Sequence, residues 1–344
     1  MSRSVTLGRT GLTVNFSAFG CLPIQRISDA EAVALLRKAL DNGFDFFDTA
    51  RYYTDSEHKL GLAFHDRRDR VTLASKSMAK TAPELLSQLD TTLTELRTDH
   101  LDLWQFHNPP TVPKPGDGSG MYEAAIDARR AGKIRFIGLT SHRLKNAMEA
   151  VDSGLYDTVQ FPLNYLSTEA ELELPAHCAR RNVGLLAMKG LSGGLITSAE
   201  TAYAFLAQFG NVLPLWGIQT EEQLDEFLAL DRREEVPVTA ELRARIEADR
   251  KELGGNFCRG CGYCMPCPAG IEIWNCARIS LLLRRGPVDV HTSPEWQAKV
   301  AKIKECRHCG LCASRCPYSL DTPELLRRNY EDYQQFIQNM GEHR

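Results

Sequence analysis

Apolar residues fall in short strand-like runs separated by longer stretches of helical periodicity, and the two alternate over most of the chain. The runs are Phe16–Cys21, Phe44–Thr49, Val71–Lys76, Leu101–His107, Ile134–Leu139, Thr158–Leu163, Val183–Met188 and Val212–Gly217. Each reads as a β-strand. Between them, Ser28-x-x-Glu31, Thr81-x-x-Glu84, Thr197-x-x-Glu200 and Thr220-x-x-Gln223 fit helix starts in which side chains satisfy first-turn amides. Eight such βα units in about 230 residues predict a parallel sheet closed into a (β/α)8 barrel, an α/β TIM barrel. An open doubly wound sheet is the alternative, but it would want a Gly-x-Gly-x-x-Gly turn after an early strand, and the sequence has none. Ahead of the barrel, Ser4–Leu7 and Thr13–Phe16 flank Gly8-Arg-Thr-Gly11 and read as a hairpin.

Past Leu230 the pattern changes. Asp231–Glu235 is a charge run that reads as a solvated face. Thr239–Leu253 reads as a helix stopped by Gly254-Gly255. An apolar helix over Ile273–Leu283 and a segment Pro294–Ile303 follow, and Thr322-Pro323 reads as the N-cap and first position of a last helix. The division expected is a barrel over residues 1–235, then a helical linker and small α-helical domain over 236–344.

That second part holds two cysteine runs. Cys258, Cys261, Cys264 and Cys267-Pro268 form the first, and Cys306, Cys309, Cys312 and Cys316-Pro317 the second. The second is C-x2-C-x2-C-x3-C-P, the bacterial-ferredoxin spacing for cubane iron–sulfur clusters. Three thiolates at x2 spacing wrap one cluster from a short loop. The fourth cannot fold back and crosses to another cluster, so a second run is required, and it is present. Its x2 gap before Cys267 makes the first run less regular. Zinc is the alternative, though zinc sites usually pair two C-x2-C knuckles. Disulfides fit poorly with eight motif-spaced cysteines and no secretion signal. A ferredoxin-like domain with two [4Fe–4S] clusters is the expectation. Cys21 and Cys178 read as free buried cysteines and Cys276 as packing on its helix. Arg259, Arg307 and Arg315 lie beside the runs, where they raise cluster potentials, dock an acidic partner or are simply solvated.

Composition adds bounds. The chain has 344 residues, 43% hydrophobic and 25% charged, with formal net charge −3. Such a balance points to no nucleic-acid and no anionic-membrane partner. No apolar run follows the first arginine as a signal peptide would require, and none approaches the about 18 residues of a membrane span. Oxygen-sensitive clusters need a reducing compartment, so the protein is expected in the cytoplasm.

Barrel chemistry gathers where strands end and βα loops begin. The second barrel strand ends in Asp48, with Tyr53 shortly after, the third at Lys76 and the fourth at His107. Asp48, Lys76 and His107 each have an ordinary reading alone: a helix cap, a solvated surface lysine, a satisfied loop histidine. Together, at successive strand ends, they read as a site.

Here the sequence resembles the aldo-keto reductase family over residues 4 to about 230. The resemblance rests on Leu7-Gly-Arg-Thr-Gly-Leu-Thr-Val14, on Asp48-Thr-Ala-x-x-Tyr53 with Ser56-Glu57 behind it, and on Ala131-Gly-Lys-Ile-Arg-Phe-Ile-Gly-Leu-Thr140. It implies that Asp48, Tyr53, Lys76 and His107 form a catalytic tetrad. In that tetrad Lys76 lowers the pKa of the Tyr53 phenol, Asp48 keeps Lys76 charged, and His107 orients a carbonyl oxygen. It also implies NAD(P)H across the mouth, its carboxamide held by Thr140, Ser141 and Gln160, with Gly190, Ser192 and Gly193 of a glycine-rich turn near the pyrophosphate. Met188 stands where many members stack a tyrosine on the nicotinamide. Gln219, in the run that continues to Gln223, stands where others place Lys or Arg against a 2′-phosphate, which weakens the case for NADPH over NADH.

The implied activity is hydride transfer between a nicotinamide cofactor and a small carbonyl or alcohol, with the clusters passing single electrons to or from a protein carrier. Three other readings stay open. The clusters alone run the chemistry, the clusters are purely structural, or the chain is a non-catalytic redox sensor or electron carrier on a retired barrel.

Overall fold

The computed structural model describes residues 3–253, 257–285 and 288–342. They fall into two compact units, residues 1–190 with 199–239, and residues 191–198 with 240–344.

The first unit is the barrel. A hairpin of β1 (Ser4–Thr6) and β2 (Thr13–Asn15) precedes eight strands: β3 (Ala18–Gly20), β4 (Phe46–Asp48), β5 (Thr72–Ser77), β6 (Leu101–His107), β7 (Ile134–Thr140), β8 (Thr158–Pro162), β9 (Gly184–Met188) and β10 (Val212–Gly217). They close in the order β10-β3-β4-β5-β6-β7-β8-β9, every pair parallel, so the expected (β/α)8 architecture is the one observed. Parallel closure follows from the βα alternation, since each crossover helix covers a strand pair and returns the chain to the same end. The hairpin turn rests on the start of β9. Gly8 has φ +50°, and a Cβ there would lie 2.5 Å from the Gly184 nitrogen, a fit only glycine allows. Arg9 fixes the contact by donating to the carbonyls of Asn182, Gly154 and Arg181.

Helix starts follow their caps. Ser28 and Thr220 form full capping boxes with Glu31 and Gln223. Thr81 accepts from the Glu84 amide, but Glu84 turns its carboxylate to the Lys80 amide. The helix expected from Thr197 begins at Ala199.

The second unit is helical. Helices span Ala240–Leu253, Ile273–Cys276, Ile279–Arg285, Val288–His291, Pro294–Ala301, Leu311–Ser314 and Thr322–Glu342. The apolar helix expected over Ile273–Leu283 is therefore two pieces. Asn329 explains the break: its amide donates to the Ala277 carbonyl at 3.2 Å and accepts from the Ser280 amide at 3.0 Å, replacing helical bonds. The last helix is capped one residue earlier than expected, by Asp321, whose carboxylate accepts from the Glu324 amide at 3.2 Å. The Gly254-Gly255 stop lies outside the described residues. Among the described residues, no helix is long and apolar enough to cross a membrane.

Candidate active site and cysteine centres

Register brings the barrel-mouth residues together. Lys76 on β5 pairs with Gln105 on β6, and His107 on β6 with Thr140 on β7, which pairs with Gln160 on β8. Lys76 Nζ lies 2.6 Å from Asp48 Oδ2 and 2.6 Å from the Thr49 carbonyl. It also sits 5.2 Å from the centre of the Tyr53 ring, which meets the His107 ring edge-on at 6.0 Å. The four residues expected at the site thus lie around one point.

A buried polar network holds the loop that carries Tyr53. Glu57 accepts from Ser75 at 2.6 Å and Thr92 at 2.9 Å, and pairs with Arg51. Ser56 donates to the Cys21 carbonyl at 3.0 Å, and Lys59 reaches the carbonyls of Ile24 and Ile27. A buried ion-paired carboxylate with all its oxygens bonded is costly to break, so this loop is fixed rather than adaptable.

The electrostatics differ from the sequence expectation in one respect. The Tyr53 phenol is raised, not lowered: the surrounding protein disfavours its anion, and Asp48 and Cys21 add to that. The Lys76 ammonium is held by Asp48 and the Thr49 carbonyl, and the surrounding protein sets the direction for the phenol. A raised phenol stays protonated, the state a proton donor needs. His107 is driven down to about 3 by burial and the Lys76 charge, so it is neutral and presents one N–H. Burial pushes the Asp48 carboxyl up, against the opposing pull of Lys76, Gln160 and Gln105.

Of the residues assigned to nucleotide, Thr140 accepts from the Asn108 amide at 3.0 Å. The Ser141 hydroxyl donates to the Arg143 carbonyl. Gln160 donates to Asp48 Oδ2 at 3.2 Å, leaving its buried Oε1 without a partner, an acceptor suited to a carboxamide. Met188 ends β9, half-buried. Gly190 packs against the Trp216 ring, which a Cβ would meet at 2.6 Å. Ser192 and Gly193 belong to the second unit, where Arg278 donates to the Gly193 carbonyl at 3.1 Å. The Gln219 amide donates to the Gln223 side chain at 2.8 Å, at the head of the Glu221–Asp231 helix. Gln105 was not singled out from the sequence. It sits two residues before His107 and therefore on the same face of β6, a polar residue in an apolar run, and that periodicity is the signal that could have found it.

The cysteines line two cavities. One is bounded by Cys258, Cys261, Cys264 and Cys316, with Tyr318, Ile273 and Leu325. The other is bounded by Cys267, Cys306, Cys309 and Cys312, with Cys264, Ile273 and Leu326 at its edge. The last cysteine of each run thus faces the first three of the other. Burial and the neighbouring Cys258 and Cys261 push the Cys264 thiol up to about 12, and burial with Cys306 and Cys267 raises Cys312. Such crowded thiols resist ionising unaided, and iron held among them would stabilise them as thiolates. Among the described residues, no three His, Cys, Asp or Glu converge closely enough to hold a single metal ion. The thiols instead surround cavities, and the donor set fits iron–sulfur clusters. Cys276 is buried apart from both, its thiol 3.6 Å from the Lys299 carbonyl.

Residues 17–208 match the aldo/keto reductase family, and residues 257–321 match a 4Fe-4S dicluster domain. L-galactose dehydrogenase of Arabidopsis thaliana is 28% identical over 210 residues, 56% of this chain and 66% of that protein. 6-Dehydroglucose reductase of Novosphingobium aromaticivorans is 29% identical over 226 residues, 57% of this chain and 71% of that protein. The chain therefore spans about two thirds of the length of these relatives. An aldo-keto reductase from Klebsiella pneumoniae solved in complex with NADPH shares the fold at TM-score 0.62 and 22% identity, covering 72% of this chain and 95% of that one.

Proposed function

The chain belongs to the aldo/keto reductase family, and we propose that it moves hydride between a nicotinamide nucleotide and a small carbonyl or alcohol, while its C-terminal unit holds two [4Fe–4S] clusters that exchange single electrons with a protein carrier. The observation that carries the reading is the Lys76–Asp48 pair at 2.6 Å beneath the Tyr53 ring, with neutral His107 at its edge. When bound, the nucleotide supplies or accepts the hydride and the clusters supply or accept one electron each. A carbonyl reduced by the nucleotide takes both electrons of the hydride, so the clusters would serve the other half-reaction, in which two reduced clusters and one proton convert oxidised nucleotide back to its reduced form.

The chain's own residues do the rest. Tyr53, held protonated, gives its proton to the carbonyl oxygen as negative charge builds there. His107 donates its N–H to the same oxygen and orients it, without itself becoming charged. Lys76 beside the phenol steadies the tyrosinate left behind, and Asp48 fixes Lys76 in place. Thr140, Ser141 and Gln160 would orient the nicotinamide amide, with Met188 against the ring. Gly190, Gln219 and Gln223 would hold the remainder. Relatives named for galactose and a dehydroglucose make a hydroxylated carbonyl compound the substrate class favoured for this site.

Cluster ligation follows the cavities: Cys258, Cys261, Cys264 and Cys316 for one, Cys267, Cys306, Cys309 and Cys312 for the other. Cys309 is exposed, with exposed Arg307 and His308 beside it, so an acidic carrier would meet the second cluster. A structural role for the clusters has support of its own, because Ile273 packs against both cavities, with Leu325 at one and Leu326 at the other. Anaerobic purification with metal analysis tests the cluster assignment. About eight iron and eight sulfide per chain are expected, and stoichiometric zinc without sulfide would overturn it.

A further inference from the structure

We propose that Gln105 is a positioning residue of the tetrad, holding the Asp48 carboxylate as an anion aimed at Lys76. The inference rests on the tetrad reading above and adds a member to it. Gln105 is fully buried. Its Nε2 donates to Asp48 Oδ1 at 3.2 Å, while Oδ2 takes Lys76 at 2.6 Å and Gln160 at 3.2 Å. Among the described residues, Gln105 is thus the side chain that satisfies Oδ1. Its own Oε1 is buried without a partner. Burying an amide in that state costs stability, so an apolar side chain would pack the barrel better. The fold nonetheless makes room for it. Gly138 lies in register between Gln105 and Thr158, and a Cβ there would come within 2.9 Å of Gln105 Cγ and 2.5 Å of Thr158 Oγ1. A glycine inside a strand marks such a close approach.

The consequence is a pH dependence that a packing role lacks. The groups facing Asp48 are Lys76, Tyr53, Cys21 and, across Lys76, His107. Tyr53 and Cys21 are raised and His107 lies at about 3, so from pH 5 to 8 all three stay neutral. Asp48, pushed up by burial, is then the group left to titrate on the acid side. An amide donor favours the Asp48 anion, so removing it makes Asp48 take a proton at higher pH.

The test is the pH profile of kcat and kcat/KM for reduction of 4-nitrobenzaldehyde by NADPH, using holoprotein with wild type, Gln105→Leu, Gln105→Glu and Tyr53→Phe. In Gln105→Leu the acid limb should move up by about one pH unit, the scale of one lost charge-assisted bond, with nucleotide Kd unchanged. Gln105→Glu, which replaces the donor with a second carboxyl, should move it at least as far, and it decides the matter if the leucine variant fails to fold. Profiles that superimpose on wild type, or fall by one factor at all pH values, overturn the proposal. Full activity in Tyr53→Phe would instead bring down the tetrad reading and Gln105 with it.

Discussion

Cys316 lines the same cavity as Cys258, although it closes the second cysteine run and Cys258 opens the first. Cys267 faces Cys306, Cys309 and Cys312 in the same crossed manner. Serine at Cys316 or Cys258 should therefore disturb one electron paramagnetic resonance signal of the reduced protein. Serine at Cys267 or Cys306 should disturb the other. If Cys316→Ser alters the signal that Cys306→Ser alters, the runs do not cross. Cys276→Ala should leave iron content unchanged, since its thiol faces neither cavity.

Tyr53→Phe removes one oxygen from a half-buried ring and little packing. Loss of such a general acid typically costs ~10²–10⁴-fold in rate. Turnover of any carbonyl that the wild type reduces should fall by that order, with nucleotide affinity and iron content near wild type. Lys76→Met should fall similarly, and it also strands Asp48. Wild-type turnover in Tyr53→Phe would assign the chemistry elsewhere.

The strands were legible because each is a short apolar run set between stretches of helical periodicity, and Leu101–His107 and Val212–Gly217 match to the residue. The positions of Asp48, Lys76 and His107 were legible for the same reason: a strand end is a place in the barrel. Their electrostatics were not. That Lys76 spans Asp48 and the Thr49 carbonyl depends on a rotamer and a loop path, and the protein enclosing the Tyr53 phenol, with Asp48 and Cys21 beside it, raises the phenol where the sequence led one to expect it lowered. Likewise, nothing local divides Ile273–Leu283. The break comes from Asn329, far along the chain, and long-range side-chain bonds leave no periodicity to read. Gln105 lies two residues before the end of β6, one layer below the strand ends where barrel chemistry gathers, so its place alone does not mark it.

His107 gives the fold a pH dependence of known sign. Its value falls from 6.5 to about 3, so between these the unfolded chain binds a proton that the folded protein refuses. Stability therefore rises with pH through that window, and what His107 contributes is lost as pH falls below 6.5. Urea unfolding of wild type and His107→Gln between pH 4 and 7 measures it. The wild-type curve should be steeper by up to ~1.4 kcal/mol per pH unit. Parallel curves would mean that His107 titrates normally in the folded protein.

Gln219 offers no charge to a 2′-phosphate, and its backbone amide is already used by Gln223. Gln219→Arg keeps that bond and adds a guanidinium. A hydrogen bond to a charged group is worth ~1.5–3 kcal/mol, so NADPH should tighten about tenfold or more relative to NADH. Equal effects on the two nucleotides, read by fluorescence titration, would place the 2′-phosphate elsewhere.

In the proposed function, hydride chemistry in the barrel and single-electron chemistry at the cysteine centres are two half-reactions of one cycle, joined through the nucleotide. The most direct measurement of that link is an anaerobic titration of the holoprotein with NADPH and with NADH, following cluster absorbance. The account predicts bleaching in proportion to added nucleotide, approaching one nucleotide per two clusters. Clusters that dithionite bleaches but neither nucleotide does, at concentrations where nucleotide binding is saturated, would contradict it.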